Sequence, residues 1–264
     1  MKNSAQEAMK VVREVQKAVI GKDHCIEKVM AAVLAGGHIL IEDIPGVGKT
    51  TMAMAFSKAM ALKEKRMQFT PDVLPSDVTG FFMFQKDSGK FKYVAGPVIS
   101  NLFLADEINR TSPKTQSALL EVMEERRVTI DGHVIRVPEP FIVIATQNPT
   151  GSSGTQNLPE SQLDRFMICI SMGYPDIHEE INIIKNHHGN KPLEQINPVI
   201  DTEMLLELQR QAEQIYIHDA VYEYIARLVM QTRQHDLLKL GISPRGTLAQ
   251  CRIPQGLAFV RDSH

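Results

Sequence analysis

The sequence has no tryptophan, few cysteines and no long hydrophobic segment. The lack of indole rings excludes a binding site built on a tryptophan platform. The cysteines, Cys25, Cys169 and Cys251, are odd in number and far apart, and they form no CxxC pair, so no disulfide framework is expected. The longest uncharged apolar stretch, residues 29–41, is shorter than the roughly 20 residues that span a bilayer. Because residues 1–10 also lack an apolar signal core, a cytoplasmic protein is predicted.

Charge of one sign is also not in excess. The chain has 29 Lys and Arg against 31 Asp and Glu, which gives a formal net charge of −2. This balance does not favour a general polyanion binder, although a local basic channel stays open as an alternative. With 264 residues, 43% of them apolar and 23% charged, the composition is typical of one large or two modest globular domains.

The first two thirds of the chain alternate between helical and strand patterns. Helical periodicity covers residues 4–19 and 22–35, with Gly21 between them, and further helices are predicted after Thr50 and over Pro113 to Arg126. Short apolar runs predict buried strands at His38 to Ile41, Met67 to Phe69, Asn101 to Ala105 and Phe141 to Thr146. This alternation predicts an α/β fold with a parallel sheet flanked by helices.

Two segments depart from this alternation. Residues 80–96 contain Asp87-Ser88-Gly89 between two β-rich arms, and residues 127–137 contain Asp131-Gly132 between alternating apolar residues. Both patterns are typical of hairpins. We therefore expect two hairpins that project from the α/β core.

The character of the sequence changes near Tyr174. Amphipathic helices are predicted over residues 176–187, 201–215 and 218–235. The third has apolar residues at helical spacing on one face, namely Val221, Tyr224, Ile225, Leu228 and Val229. The sequence thus predicts an α/β domain over residues 1–174 and a small all-helical domain over residues 175–264.

The strongest chemical signal is the loop that joins the first predicted strand to a helix. A loop that binds phosphate needs glycines for a sharp turn, and it aims backbone N–H groups at the anion from a helix N-terminus. Lys49 would then reach the β- and γ-phosphates, and Thr50 would ligate Mg²⁺. The usual pattern begins with glycine where this chain has Asp43. The candidate loop residues are Pro45, Gly46, Val47, Gly48, Lys49, Thr50 and Thr51.

A second signal is a pair of carboxylates, Asp106 and Glu107, directly after an apolar strand. Ligands of open α/β sheets bind at the carboxyl ends of the strands. Asp106 could therefore join the Mg²⁺ shell, and Glu107 could deprotonate a water that attacks the γ-phosphate. An acidic pair after a strand is otherwise a loop start or a helix cap, but its position after a phosphate loop favours the catalytic role.

Three further polar residues have both a functional and a simpler interpretation. Asn148 follows another buried strand and could contact the γ-phosphate, or it could only begin a turn. Arg165 could act on a nucleotide or pair with Asp164. Arg245 lies in a predicted first helical turn, after Ser243 as N-cap, where a cation opposes the helix dipole.

In this order and spacing, these elements resemble the AAA+ ATPases, and the wording is closest to the MoxR family. The resemblance runs from about Ala18 to Leu248. Members of that family also have aspartate at the position of Asp43. The motifs that carry the resemblance are IEDIPGVGKT at 41–50, QFTPDVLPSD at 68–77, LADEINR at 104–110, ATQNP at 145–149 and LPESQLDRF at 158–166.

The resemblance implies a role for each candidate residue. Lys49 and Thr50 would be the Walker A pair, Asp106 and Glu107 the Walker B pair, and Asn148 sensor 1. Arg165 would be an arginine finger for the nucleotide of the next subunit. Arg245 would be sensor 2, in cis or in trans. Ile20 and Gly21 would pack on the adenine, together with Val19, and the two hairpins would line a pore or contact a client.

At the level of the whole protein, the resemblance implies an ATP- and Mg²⁺-dependent chaperone that remodels or activates partner proteins. It also implies a homo-oligomeric ring, a hexamer, and partners with a von Willebrand factor A domain. A nucleic-acid-linked motor or transcription activator is an alternative class, which the −2 charge disfavours. A small P-loop kinase is a second alternative class, and a nucleotide-binding switch with little turnover is a third.

The sequence departs from the family at two places. Residues 150–157 replace an acidic and aromatic loop that the family has after sensor 1. The last lid helix, residues 247–261, contains Pro254 and Gly256, which cost about 3 and 1 kcal/mol relative to Ala in a helix interior. The chain then stops at His264, where relatives continue. We therefore expect a short or frayed last helix in a truncated or frameshifted lid.

Overall fold

A five-stranded parallel sheet is the centre of the computed structural model, which describes residues 2–44, 46–148, 158–181 and 192–261. Its strand order is β2-β5-β8-β1-β9, and two antiparallel hairpins, β3–β4 and β6–β7, lie outside it. The strands are β1 Ile39–Glu42, β2 Glu64–Gln68, β3 Gly80–Gln85, β4 Lys90–Ala95, β5 Leu102–Asp106, β6 Arg127–Ile130, β7 His133–Arg136, β8 Ile142–Gln147 and β9 Ile168–Ile170.

Helices precede, connect and follow these strands. They are α1 Lys2–Gln16, α2 Asp23–Leu34, α3 Lys49–Ala59, α4 Pro75–Thr79, α5 Pro113–Glu125, α6 Glu160–Leu163, α7 Thr202–Glu213, α8 Asp219–Gln234 and α9 Pro244–Arg261. Residues 177–181 are also helical. The rest of the helix predicted over residues 176–187 lies outside the described residues. No helix in the described ranges has the length and apolar character needed to cross a membrane.

The parallel pairing aligns the carboxyl ends of the strands. Glu42 at the end of β1 pairs with Gln147 at the end of β8, and Gln68 at the end of β2 pairs with Asp106 at the end of β5. The segments that follow β1, β5 and β8 therefore meet at one edge of the sheet, where ligands bind in open α/β folds.

Two strands differ from their prediction. β2 begins at Glu64, three residues earlier than expected, because its first residues are charged and interrupt the apolar pattern. It is an edge strand, in which Lys65, Arg66 and Gln68 are exposed. β9 is not among the predicted strands, because its three residues are too few to give a periodic signal.

The sheet separates two hydrophobic clusters. On one face, Ile39 and Ile41 of β1 pack with α1, α2 and α3. On the other, Leu40 packs with β5, β8 and α5. Fully burying side chains of this size contributes about 1.5–3 kcal/mol each. The sheet and its helices are thus one rigid scaffold for the loops at its carboxyl edge.

Both predicted hairpins are present. β6 and β7 are joined by Asp131 and Gly132, whose φ angles are 49° and 77°, as the favoured two-residue turn requires. The Phe82 ring of β3 lies 4.8 Å from the His133 ring of β7, measured between centroids. The two hairpins are therefore in contact with each other.

The apolar face predicted for α8 is only partly buried. Ile225 and Val229 are buried, whereas Val221, Tyr224 and Leu228 are exposed. The predicted helix is present as α8, and burial within the described residues extends to two of these five side chains. The boundary between domains at residue 174 stays a prediction.

The expectation of a short or frayed last helix was wrong. α9 continues through Pro254 and Gly256 to Arg261. Gly256 packs against α2 so closely that a Cβ would lie 2.5 Å from the Ala31 carbonyl oxygen. Phe259 and Val260 are buried in the core beyond it. Packing against α2 thus outweighs the local cost of proline and glycine, which sequence alone could not reveal.

Candidate nucleotide site

The loop after β1 has the backbone of a phosphate-binding loop. Gly46 and Gly48 have φ angles of 89° and 93°, a region that side chains other than glycine seldom adopt. Gly48 is the N-cap of α3, which begins at Lys49. The free N–H groups and the dipole of this helix favour an anion. Thr51 lies in the first turn of α3, and Pro45 lies outside the described residues.

The Lys49 side chain is enclosed by the edge of the sheet and is only 9% exposed. Its Nζ donates hydrogen bonds to the Asp43 carbonyl oxygen at 2.6 Å and to the Gln147 carbonyl oxygen at 3.5 Å. Burial lowers the pKa of Lys49, while the carboxylates of Asp43, Asp106 and Glu107 act in the opposite direction. The ammonium group is therefore held at the point where the ends of β1 and β8 meet.

Asp106, the last residue of β5, lies beside Thr50. The Thr50 hydroxyl donates to Asp106 Oδ2 at 3.3 Å. The same oxygen accepts from Nη2 of Arg66 at 2.8 Å, and Oδ1 accepts from the Thr146 hydroxyl at 2.7 Å. Three elements thus fix the orientation of this carboxylate, and its Oδ2 contacts the first turn of α3.

Glu107 has an unusual backbone. Its φ and ψ are 55° and 48°, a left-handed conformation that costs on the order of 1 kcal/mol or more for a residue with a side chain. The Thr146 hydroxyl accepts from the Glu107 N–H at 2.9 Å. The Glu107 carboxylate accepts from Gln68 Nε2 at 2.8 Å and from Arg110 Nη1 at 2.7 Å. The adjacent carboxylates of Asp106 and Glu107 therefore have separate partners.

Asn148 follows β8 at the same edge. Its carbonyl oxygen accepts a hydrogen bond from Asn109 Nδ2 at 3.2 Å, which ties it to the segment after Glu107. Lys49, Thr50, Asp106, Glu107 and Asn148 are thus brought to one edge. The family-divergent residues 150–157 lie outside the described residues.

Ile20 and Gly21 lie in the turn between α1 and α2. Gly21 has a φ of 72°, and the Glu179 side chain occupies the space where its Cβ would be. Lys22 Nζ donates to the Tyr174 carbonyl oxygen at 3.1 Å. This turn therefore contacts the residues that follow β9.

Arg165 and Arg245 are located together, but not beside Lys49. Arg165 Nε donates to Glu124 Oε2 at 3.1 Å, and Arg245 Nη2 donates to Glu124 Oε1. The hydrogen bond from Arg245 is the main cause that lowers the pKa of Glu124, and the contact with Arg165 lowers it further. Both arginines line an open cleft of about 1160 Å³ that also includes His38, at the amino-terminal end of β1. The two arginines thus lie near the amino-terminal end of β1, whereas the phosphate loop of their own chain follows its carboxyl end.

These contacts decide two of the simpler interpretations, the pairing of Arg165 with Asp164 and the role of Ser243 as N-cap. Arg165 pairs with Glu124, while Asp164 accepts a hydrogen bond from the Ser243 hydroxyl. Ser243 is the N-cap of α9, since its Oγ accepts from the Gly246 N–H at 2.9 Å. Glu124 of α5 contacts both candidate arginines.

Several residues around the site were missed from the sequence. Thr146 lies near the end of a buried strand, and its complete burial is evident only in the structure. Arg66 precedes Met67 on an edge strand and has no distinguishing pattern, whereas Gln68 begins the motif at 68–77 but had no role assigned to it. Arg110 follows the acidic pair by three residues, a spacing that permits pairing within one turn.

Comparisons with known proteins agree with this arrangement. Residues 38–168 match the family described as ATPase family associated with various cellular activities (AAA). The chain is 47% identical to YeaC of Bacillus subtilis over 251 residues, covering 95% of this chain and 78% of YeaC. It is 39% identical over 261 residues to chaperone MoxR1 of Mycobacterium tuberculosis, covering 96% of this chain and 69% of MoxR1. A crystal structure assigned as an ATPase from Cytophaga hutchinsonii superposes with a TM-score of 0.90 at 35% identity, covering 99% and 82%.

Proposed function

This chain belongs to the MoxR family of AAA ATPases, and we propose that it uses ATP hydrolysis to remodel or activate partner proteins as a chaperone. The ATPase family match and the relative named chaperone MoxR1 support this function. The observation that carries it is the convergence of Lys49, Thr50, Asp106 and Glu107 at one edge of the sheet. In this proposal the partners have a von Willebrand factor A domain and the protein acts in the cytoplasm.

ATP would bind with its phosphates on the loop between β1 and α3. The N–H groups around Gly46 and Gly48 would cradle the phosphate oxygens. Lys49 would exchange its two carbonyl partners for the β- and γ-phosphates, which compensate its charge far better than neutral carbonyls do. Ile20 and Gly21 would pack against the adenine.

The residues at the carboxyl edge suit a magnesium ion. Mg²⁺ prefers oxygen ligands in an octahedron and is commonly held by one or two carboxylates together with substrate phosphates. The Thr50 hydroxyl and Asp106 Oδ2 lie 3.3 Å apart, so both can contribute to one shell. When bound, the ion would neutralise charge on the phosphate oxygens.

Glu107 would be the general base. It would accept a proton from the water that attacks the γ-phosphate, and Asn148 would help to orient that water. The bonds from Gln68 and Arg110 hold the carboxylate of Glu107, so these side chains set its position before a nucleotide binds.

Arg165 and Arg245 would act on the nucleotide of a neighbouring subunit. Both lie across the sheet from their own Lys49, and both contact Glu124. A ring would bring this cleft to the next subunit's phosphate loop, and the family resemblance supports a hexamer. Two arginines supplied in trans would stabilise the charge that develops on the transferred phosphoryl group.

Two substitutions at the site separate binding from hydrolysis. Lys49→Ala removes the ammonium group, so we expect loss of ATP binding in a calorimetric titration. Glu107→Gln keeps the shape and the hydrogen bonding but removes the base, so we expect ATP binding without phosphate release. Lys114→Ala and Glu121→Gln, on the exposed side of α5, are matched controls that keep wild-type binding and turnover. Equal turnover in Glu107→Gln and wild type would refute the assignment of the base.

A further inference from the structure

Asp43 is a buried carboxylate at the start of the phosphate loop. It follows β1, where the usual phosphate-loop pattern has glycine, and it is only 7% exposed. A buried charge is unfavourable unless hydrogen bonds compensate it. The position therefore demands partners, and their identity shows what the side chain is for.

The partners of Asp43 Oδ2 all belong to one segment of the chain. This oxygen accepts from the Met172 N–H and the Gly173 N–H, both at 2.7 Å, and from the Ser171 hydroxyl at 3.0 Å. The other oxygen accepts from the Ile44 N–H at 2.9 Å. Burial alone would raise the pKa of Asp43, but these four hydrogen bonds lower it below its usual value.

We call residues 171–176, which join β9 to the helical residues 177–181, the connector. The connector contacts both parts of the proposed nucleotide site. Through Asp43 it is joined to Lys49, whose Nζ donates to the Asp43 carbonyl oxygen at 2.6 Å. On the adenine side, Lys22 Nζ donates to the Tyr174 carbonyl oxygen, and Cys25 Sγ lies 3.5 Å from the Ser171 carbonyl oxygen.

We propose that Asp43 is a positioning residue that couples the phosphate loop to the connector, so that nucleotide bound at the loop stabilises the connector. The proposal rests on the proposed function, because it requires a nucleotide at Lys49. The main-chain carbonyl of Asp43 binds Lys49 and its side chain binds the connector, so a change at Lys49 alters the connector. Coupling of this kind is reciprocal, since a ligand that stabilises the connector binds more weakly when the link is cut.

Substitution of Asp43 by glycine tests whether the side chain links two segments or the position only has to let the loop turn. Asp43 is absent from the residues with positive φ, so its backbone conformation is open to aspartate, asparagine and glycine alike. If the position only had to let the loop turn, Asp43→Gly would be harmless. If the carboxylate links two segments, Asp43→Gly cuts the link, whereas Asp43→Asn removes the charge but keeps one oxygen acceptor and so only weakens the link.

Amide hydrogen exchange of the full chain, with and without the non-hydrolysable analogue AMP-PNP and Mg²⁺, tests the proposal. In the free protein, we expect the Met172 and Gly173 amides to exchange at least about tenfold faster in Asp43→Gly, because each loses a hydrogen bond to a charged acceptor. The increase should be smaller in Asp43→Asn, because its amide oxygen still accepts. In wild type, AMP-PNP slows exchange at these two amides. In Asp43→Gly it slows exchange at the phosphate loop but not at the connector, and its affinity falls by the factor of the lost coupling.

Ser171→Ala is the matched control. It removes the hydroxyl but leaves both backbone hydrogen bonds to Asp43, so the nucleotide should still slow exchange at the connector. Wild-type exchange at Met172 and Gly173 in the free Asp43→Gly protein would overturn the link. A link that is cut without any change in the response of the connector to AMP-PNP would overturn the coupling. Failure of wild type to bind AMP-PNP would instead refute the proposed function, and the free-protein comparison would still test the link.

Discussion

At the scale of single residues, Thr146 connects the two carboxylates of the candidate site. Its hydroxyl donates to Asp106 Oδ1 and accepts from the Glu107 N–H, and the residue is fully buried. One hydroxyl thereby fixes both the carboxylate proposed for magnesium and the backbone of the proposed base. It also satisfies the N–H of a residue in a strained conformation.

Thr146→Val keeps the shape of the side chain and removes both hydrogen bonds. We expect a loss of about 1–3 kcal/mol in the free energy of unfolding, since a buried carboxylate oxygen and an N–H lose their partner. We also expect ATP hydrolysis to fall more than ATP binding, because the base loses its position. Urea unfolding, calorimetric titration and phosphate release measure the three quantities. Thr129→Val, on an exposed strand position, is the control, and normal hydrolysis in Thr146→Val would argue against this positioning.

The lowered pKa of Asp43 predicts a pH dependence with a defined sign. A carboxylate with a folded-state pKa below its unfolded value of about 3.9 stabilises the protein above that value. This contribution is lost as the pH falls through the folded-state pKa. The stability difference between wild type and Asp43→Asn should therefore be constant from pH 7 to about pH 5 and should shrink below pH 4. Urea unfolding over that range measures it, and a difference that grows on acidification would contradict the assigned shift.

At the scale of elements, α9 shows how tertiary packing overrides local preference. Proline and glycine inside the helix predicted fraying, yet the helix is continuous and its C-terminal half is anchored by two contacts. Gln255 Nε2 donates to the Ile215 carbonyl oxygen at 2.7 Å, and Arg261 pairs with Glu27 at 2.6 Å. Gly256 allows the helix backbone to approach Ala31. The glycine that weakens the isolated helix is what allows it to pack.

Two glycines of α9 give a matched comparison. A Cβ at position 256 would lie 2.5 Å from the Ala31 carbonyl oxygen, which is backbone, whereas at position 246 its nearest neighbour is the Ile242 side chain at 2.9 Å. We expect Gly256→Ala to destabilise the fold by about 1–3 kcal/mol through overpacking. Gly246→Ala should be neutral or stabilising by up to about 1 kcal/mol, because alanine is the better helix former. Thermal unfolding of both variants decides this, and equal effects would show that helix propensity governs α9.

Most of the sheet could be predicted from the sequence because its central strands are short, apolar and bounded by turns. β5 and β8 are buried along their whole length, so their patterns are continuous. The charged start of β2 and the three residues of β9 carry no such pattern. The loop glycines, Lys49 and the acidic pair could be identified because their chemistry requires fixed spacing. Glu124 and Thr146 could not, because their partners are distant in sequence.

At the scale of the whole molecule, the two parts of the proposed catalytic machinery lie at opposite ends of the parallel strands. Lys49 and Glu107 lie at the carboxyl edge, whereas Arg165 and Arg245 line the cleft beside His38. Glu124 neutralises part of the charge of both arginines within the single chain. A single chain therefore does not bring its arginines to its own phosphate loop. The account requires an assembly in which each subunit completes the site of the next.

The most direct test of this claim is ATP turnover in mixtures of two inactive variants. Arg165→Ala keeps its nucleotide site but supplies no finger, and Lys49→Ala has no working site but can donate Arg165. Each alone should hydrolyse poorly, since an arginine supplied in trans is worth about 10³ to 10⁵ in rate. Mixed at equal concentration, with co-assembly in ATP verified by mass, they should regain turnover that rises with total protein concentration. Absence of rescue at every mixing ratio, despite proven co-assembly, would contradict the account and place Arg165 in a structural or cis role.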